Sequence, residues 1–218
     1  MDFYRHLQQV CPGLELSIDP AVLQSHGRDW TRFRPAAPAT VAFPKSTEQV
    51  CRLVAAAAEA GIPLVPSGGR TGLSGGAVAA NGEVVVSFDC MRRVLEFSPT
   101  DRSLTVEAGV ATARVQELGR EICLYYPVSF ASEGSSQVGV NIATNAGGIR
   151  VLRYGTTRDR VTGLRVVTGE GRELELNRGL VKNASGYDLR HLFIGSEGTL
   201  GLIVEATLQL ESEPPPSR

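Results

Sequence analysis

No run of apolar residues approaches the roughly 20 needed to cross a bilayer, and the N-terminus, MDFYRHLQQV, lacks the apolar stretch of a secretion signal. The expectation is a soluble, cytoplasmic protein with no transmembrane segment. Charge of one sign is also missing: 22 basic against 23 acidic residues leave a formal net charge of −1. That excludes a nucleic-acid binder held by phosphate charge, and a hydrophobic share of 42% excludes disorder. Lysine is confined to Lys45 and Lys182, and neither ends a G-x-x-x-x-G-K motif, so a P-loop nucleotide hydrolase is ruled out. The three histidines, His6, His26 and His191, form no short-spaced ligand pair, so no metal site is expected. The cysteines at 11, 51, 90 and 123 contain no C-x-x-C, and read as four reduced, mostly buried thiols.

What is present divides the 218 residues into one large domain or two fused lobes. Residues 1–30 read as a short helix, with Leu7 and Val10 turned inward, followed by a loop. From Thr40 a strand, a helix opened by Ser46 with Gln49 and closed by Gly61, a short extended run at 62–66 and an apolar strand at 84–86 predict a β-α-β lobe. The helix stripe is Val50, Leu53, Val54, Ala57 and Ala58. Further on, alternation takes over: residues 104–107 and 202–210 read as half-exposed antiparallel strands, 112–121 as a helix, and 161–168 with 173–176 as a hairpin around Gly169 and Gly171. The fold class is α+β: a small lobe with parallel strands, about 31–92, and a larger lobe with mostly antiparallel sheet and flanking helices, about 93–212.

Glycine is concentrated in three weakly charged segments. The first, PSGGRTGLSGG at 66–76, follows an apolar strand and suits an anion-binding nest of backbone N–H groups, or else a plain surface turn. No register of it supplies the G-x-G-x-x-G of a Rossmann site. The second, SEGSSQVGVNIATNAGG at 132–148, combines small polar side chains with exposed backbone; it suits a wall against a flat hydrogen-bonding ligand, or a glycine-kinked strand at a sheet corner. The third, GSEGTLG at 195–201, reads as a turn.

Taken in order with KNASGYDL at 182–189, these segments resemble the FAD-binding domain of FAD-linked oxidoreductases of the vanillyl-alcohol-oxidase (PCMH) type. Within that group the resemblance is to the D-lactate, D-2-hydroxyglutarate and glycolate dehydrogenase branch, and it runs from about Gly27 to the C-terminus. It implies that Gly68, Gly69, Arg70, Thr71, Gly72 and Leu73 surround the FAD pyrophosphate. Ser132, Ser135, Gly139, Asn141, Asn145, Gly147 and Gly148 would follow the flavin and ribityl chain, and backbone near Gly201 and Ile203 would meet the adenosine half. Val140 departs from the pattern, since relatives commonly carry glycine there. The first loop holds no histidine for covalent attachment, so FAD is expected to be dissociable. Lys182 is expected to neutralise Asp188, Tyr187 to pack beneath its loop, and His191 to serve structure.

The resemblance also implies an activity. The full-length protein would oxidise a D-2-hydroxy acid to the 2-oxo acid, with hydride passing to the flavin and electrons leaving to a quinone, an electron-transfer flavoprotein or a cytochrome, the last step permitting association with a membrane. In that family the substrate arginine, the histidine base and the metal ligands belong to a cap domain after the FAD domain. The proline-rich residues 213–218 fall where a linker to the cap would begin, so no catalytic residue is expected in this chain. The alternative is a non-catalytic FAD-binding subunit whose partner supplies the substrate site; an alcohol or sugar-lactone oxidase, and a glycine-rich protein with no cofactor, are further readings.

Overall fold

The computed structural model describes residues 3–31, 33–177, 179–180 and 182–213; the expected linker prolines lie outside the described residues. The N-terminal third contains α1 (Phe3–Val10), β1 (Glu15–Ser17), α2 (Pro20–His26), β2 (Thr40–Phe43), α3 (Thr47–Ala60), β3 (Leu64–Ser67) and β4 (Val84–Ser87). Then follow β5 (Val94–Ser98), β6 (Ser103–Glu107), α4 (Thr112–Glu121), β7 (Leu124–Tyr125), α5 (Val138–Ala143), α6 (Val151–Tyr154) and β8 (Val161–Thr168). The chain continues through β9 (Glu173–Leu176), α7 (Arg190–Phe193), β10 (Gly201–Gln209) and β11 (Glu211–Ser212). Among the described residues no helix is long and apolar enough to cross a membrane.

Two sheets result, and the fold class is α+β as expected. The first has the order β1-β2-β4-β3, with β2, β4 and β3 parallel and β1 antiparallel at the edge. The second has the antiparallel order β5-β6-β10-β8-β9. α3 forms where Ser46 Oγ accepts from Gln49 N, and it ends where Gly61 takes a left-handed φ of 65° that suits glycine. Gln49 does not close the box, because its side-chain oxygen instead accepts from Lys45 N. The buried stripe of α3 is Val50, Leu53, Val54, Ala56 and Ala57; Ala58 is exposed. On α1, Leu7 is buried and Val10 is exposed.

Valines 84–86 are buried because both faces of their sheet are covered, by α1 and α3 on one side and by Val22, Leu23 and Ala79 on the other. Alternation in β10 holds only from Val204 onward. Before that, Leu202 and Val204 face the core shared with the first sheet while Ile203 faces the core of the second, so this half-strand is buried on both sides. Strand β10 thus joins the lobes. Glu107 also breaks the expected pattern: it is 1% exposed and accepts from Arg93 N, Nε and a terminal guanidinium nitrogen. Burial drives the carboxyl of its neighbour Glu205 upward, opposed by Arg165 and reinforced by Glu107. The four cysteines are free, yet only Cys11 is buried, and Cys90 and Cys123 are exposed.

Candidate cofactor cleft

The three glycine-rich segments meet at one place between the sheets. The second segment is helix α5 and its flanking turns, rather than a kinked strand. A Cβ on Gly68 would lie 2.2 Å from Val140 Cγ2, and one on Gly69 would lie 2.0 Å from the Ser135 carbonyl oxygen. Both positions therefore demand glycine so that the first loop can press against the second segment. The third segment hydrogen-bonds to the end of α5, with Gly195 N donating to Ile142 O and Glu197 N to Ala143 O. Its Gly198 sits where a Cβ would come 2.7 Å from Pro66.

Between them runs a cleft of two joined compartments. The first, of about 740 Å³ and open to solvent, is lined by Gly68, Arg70, Gly72, Gly139, Gly201 and Ile203 among the expected residues, and by Pro66, Phe88, Ala108, Gln137, Leu202, Asp29 and Glu197 among the others. The second is lined by Thr71, Gly72, Leu73, Ser132, Ser135, Asn141 and Gly147, with Trp30 and Phe130. Val140 and Thr144 touch both compartments, so the Val140 side chain stands at the junction. Gly69 faces a side recess beside Asp89 and Ser135.

Three expected residues line neither compartment: Gly69, in its side recess, Asn145 and Gly148. Asn145 Oδ1 accepts from Arg158 N at 3.0 Å, and Gly148 packs against the Ser129 carbonyl. Asn141 is 4% exposed and gives its amide to Thr112 Oγ1 at 2.6 Å, which anchors α5 to α4.

The first loop is braced from outside. Asp29 Oδ2 accepts from Gly75 N at 2.8 Å, and Gly72 O accepts from Trp30 N at 3.0 Å. Ser74 Oγ donates to Glu197 Oε2 at 3.2 Å. Arg70, with a φ of 58°, donates to Asp89 Oδ2 at 3.0 Å, so a carboxylate holds it in place. Asp89 gathers three further donors: His26 Nε2 at 3.2 Å, Arg92 at 2.9 Å and Gln137 Nε2 at 2.7 Å. Burial alone would raise the Asp89 carboxyl; the His26 hydrogen bond and the Arg70 and Arg92 guanidiniums outweigh it and hold it well below the usual carboxylate range. Among the described residues no acceptor meets the backbone N–H groups of Arg70, Thr71, Gly72, Leu73 or Ser74. Five successive unclaimed amides beside a cleft fit an anion such as a pyrophosphate. The apolar floor at Phe88, Ala108, Leu202 and Ile203 fits a flat base.

Around this site the 182–189 motif behaves differently from expectation. Arg190, not Lys182, pairs with Asp188, and Tyr187 is 96% exposed instead of packing beneath its loop. His191 Nδ1 meets Arg158 at 2.8 Å, a structural contact. Asp29, Asp89, Gln137 and Glu197 escaped the sequence reading, although Asp29 stands in the stretch where the resemblance begins.

A family model described as FAD binding domain matches residues 38–177. The D-2-hydroxyglutarate dehydrogenases of Xanthomonas citri pv. viticola and Stutzerimonas stutzeri are each 58% identical to this chain, over 97% and 94% of it and over 45% and 44% of their own lengths. Glycolate oxidase subunit GlcD of Bacillus subtilis is 38% identical over 81% of this chain and 38% of its own. A solved structure of alkyldihydroxyacetonephosphate synthase matches 97% of this chain and 40% of its own with a TM-score of 0.85 and 25% identity. The chain therefore spans less than half the length of the relatives it matches. By the family match over well over half its length, and by a cleft whose free amides suit a pyrophosphate, the chain belongs to the FAD-binding domain family and its cofactor is FAD.

Proposed function

We propose that this chain is the FAD-binding part of a dehydrogenase that oxidises a D-2-hydroxy acid to the 2-oxo acid, with D-2-hydroxyglutarate the first substrate to test ahead of D-lactate and glycolate. The observation that carries this reading is 58% identity to two D-2-hydroxyglutarate dehydrogenases across nearly the whole chain. Once bound, FAD supplies the redox chemistry by accepting hydride. The chain's own residues bind, orient and shield. The amides of residues 70–74 hold the pyrophosphate, the Phe88, Leu202 and Ile203 floor takes the adenosine half, and Trp30, Leu73 and Phe130 wall the flavin half.

Residues 31–212 form the FAD domain, with residues 1–30 packed onto it. Attachment is non-covalent, because no histidine lines either compartment among the described residues and His26 is held by Asp89. The carboxylate-binding arginine and the base come from polypeptide that the longer relatives carry beyond this region. Electrons leave to a quinone, an electron-transfer flavoprotein or a cytochrome, and the protein works in the cytoplasm.

The test begins with the purified chain and its visible spectrum after adding FAD, then denaturation to release the flavin. A yellow protein whose flavin stays in solution after precipitation is expected; flavin that remains with the polypeptide refutes the non-covalent site. Dye-coupled turnover of D-2-hydroxyglutarate by the full gene product then decides the activity. An FAD-loaded full-length protein inert on the whole 2-hydroxy-acid panel removes the substrate assignment.

A further inference from the structure

Helix α6 carries the most exposed large apolar side chain among the described residues: Leu152 is 100% exposed, and Ile149, just before the helix, is 83% exposed. A loose turn does not account for this. Ile149 N donates to Ser129 O at 3.2 Å, Thr157 Oγ1 donates to Ala146 O at 2.8 Å, and Gly155 N closes the helix on Val151 O, so the segment is pinned with both side chains outward. Beside them the Arg150 and Arg153 guanidiniums lie 5.3 Å and 5.2 Å from the ring centres of Tyr125 and Tyr154, and those two rings meet edge-on at 5.8 Å. Among the described residues neither arginine pairs with a carboxylate, whereas Arg160 pairs with Glu211 and Arg190 with Asp188. Tyrosine, arginine and bare aliphatic side chains around one open hollow are the composition of a protein interface.

The position of this patch points to its occupant. On one side, Tyr125 belongs to β7, which pairs with β11 so that Glu211 faces Tyr125 and Ser212 faces Leu124. On the other side, Ser129 and Ile149 join the patch to Phe130 and Gly147, which line the flavin compartment. The two relatives at 58% identity are more than twice as long as the stretch they share with this chain. Polypeptide that continues from β11 and brings a base to the flavin therefore runs directly onto α6. We propose that α6 and Tyr125 form the docking surface for that polypeptide, with Leu152 and Ile149 as apolar anchors and with Arg150 and Arg153 meeting acidic side chains of the docked part. The surface holds the substrate-bearing part over the flavin, so it governs turnover and leaves FAD uptake to the cleft. This inference rests on the reading of the chain as the FAD-binding part of a longer dehydrogenase.

The test uses the full gene product. Leu152→Cys should react with a thiol reagent at least about tenfold more slowly than Glu59→Cys, which places the thiol on the exposed side of α3. Equal rates overturn the proposal. Protection that fades on dilution belongs to a second copy of the protein and overturns it as well, as does a gene product that ends with this chain. Should the variant fail to fold, phenylglyoxal carries the same test on the unmodified protein: Arg150 and Arg153 should be spared relative to Arg172, which is 75% exposed, and equal modification overturns the proposal. Leu152→Asp should keep its FAD and lose turnover of D-2-hydroxyglutarate about tenfold or more, because the docked part is displaced from the flavin. Unchanged turnover overturns the proposal. A full-length protein inert on every 2-hydroxy acid, with position 152 still protected, is a different result: it removes the activity and leaves the docking surface standing.

Discussion

Replacing Asp89 by asparagine keeps the side chain's shape and removes the charge on which four donors converge. Two of those donors, Arg70 and Gln137, come from opposite walls of the cleft, so Asp89 ties the first loop to the start of α5. The magnitude follows from how well each partner is shielded. Arg92 is 58% exposed, and its pairing is worth little in water. Arg70 is 26% exposed and His26 16%, and bonds to a charged group at such half-shielded sites contribute about 1.5–3 kcal/mol each before discounting. An asparagine oxygen still accepts, so the net loss for Asp89→Asn is about 2–4 kcal/mol at pH 7.

Urea unfolding followed by circular dichroism measures this loss, and pH gives it a signature. The folded-state pKa is depressed, so the stabilisation is complete above the unfolded aspartate value of about 3.9 and is lost as pH falls from there toward the folded value. The asparagine variant has no such titration. The gap between the two proteins should be constant from neutral pH down to about pH 5, and then shrink by about 1.4 kcal/mol per pH unit below about pH 4. An unchanged urea midpoint at pH 7, or a gap that stays constant through the acid range, refutes the reasoning.

Gly69→Ala should destabilise by about 1–3 kcal/mol or more and impair FAD uptake, because its Cβ would strike the Ser135 carbonyl, whereas Gly134→Ala, which meets open space, should stay within about 1 kcal/mol; denaturant midpoints decide. Val140→Gly should cost about 1 kcal/mol of stability through helix propensity yet bind FAD at least as tightly, since it opens the junction between compartments; weaker FAD binding in a titration counts against this. A thiol reagent should modify Cys90 and Cys123 within the mixing time, and Cys11 only on unfolding, because burial shields Cys11 and raises its pKa; peptide mapping of the labelled protein checks the order.

Much of the fold was legible because its signals are local. Ser46, Gly61 and the stripe between them define α3 within a window of 16 residues, and the hairpin of β8 and β9 is marked by Gly169 and Gly171. Strand β1 and helix α2 were missed. β1 is three residues long and finds its partner β2 across a gap of more than 20 residues, which no local pattern encodes. For α2 there was a signal: Asp19 caps it by accepting from Ala21 N and Val22 N, and Pro20 opens its first turn. Glu107 was misread for a different reason. Alternation describes which face a side chain takes, and it cannot show that Arg93 will close over that face.

The cleft was legible to the extent that glycine marks close approach. At Gly68 and Gly69, however, the body that approaches is the protein's own second segment, so the clustering of glycines located the meeting of loops first and the ligand only through it. What holds those loops apart at cofactor width is polar and distant in sequence: Asp29 reaches Gly75 over 46 positions, Asp89 reaches Gln137 over 48, and Ser74 reaches Glu197 over 123. Each of those links pairs a lone carboxylate with a loop that supplies the donor, and a lone carboxylate belongs to no pattern.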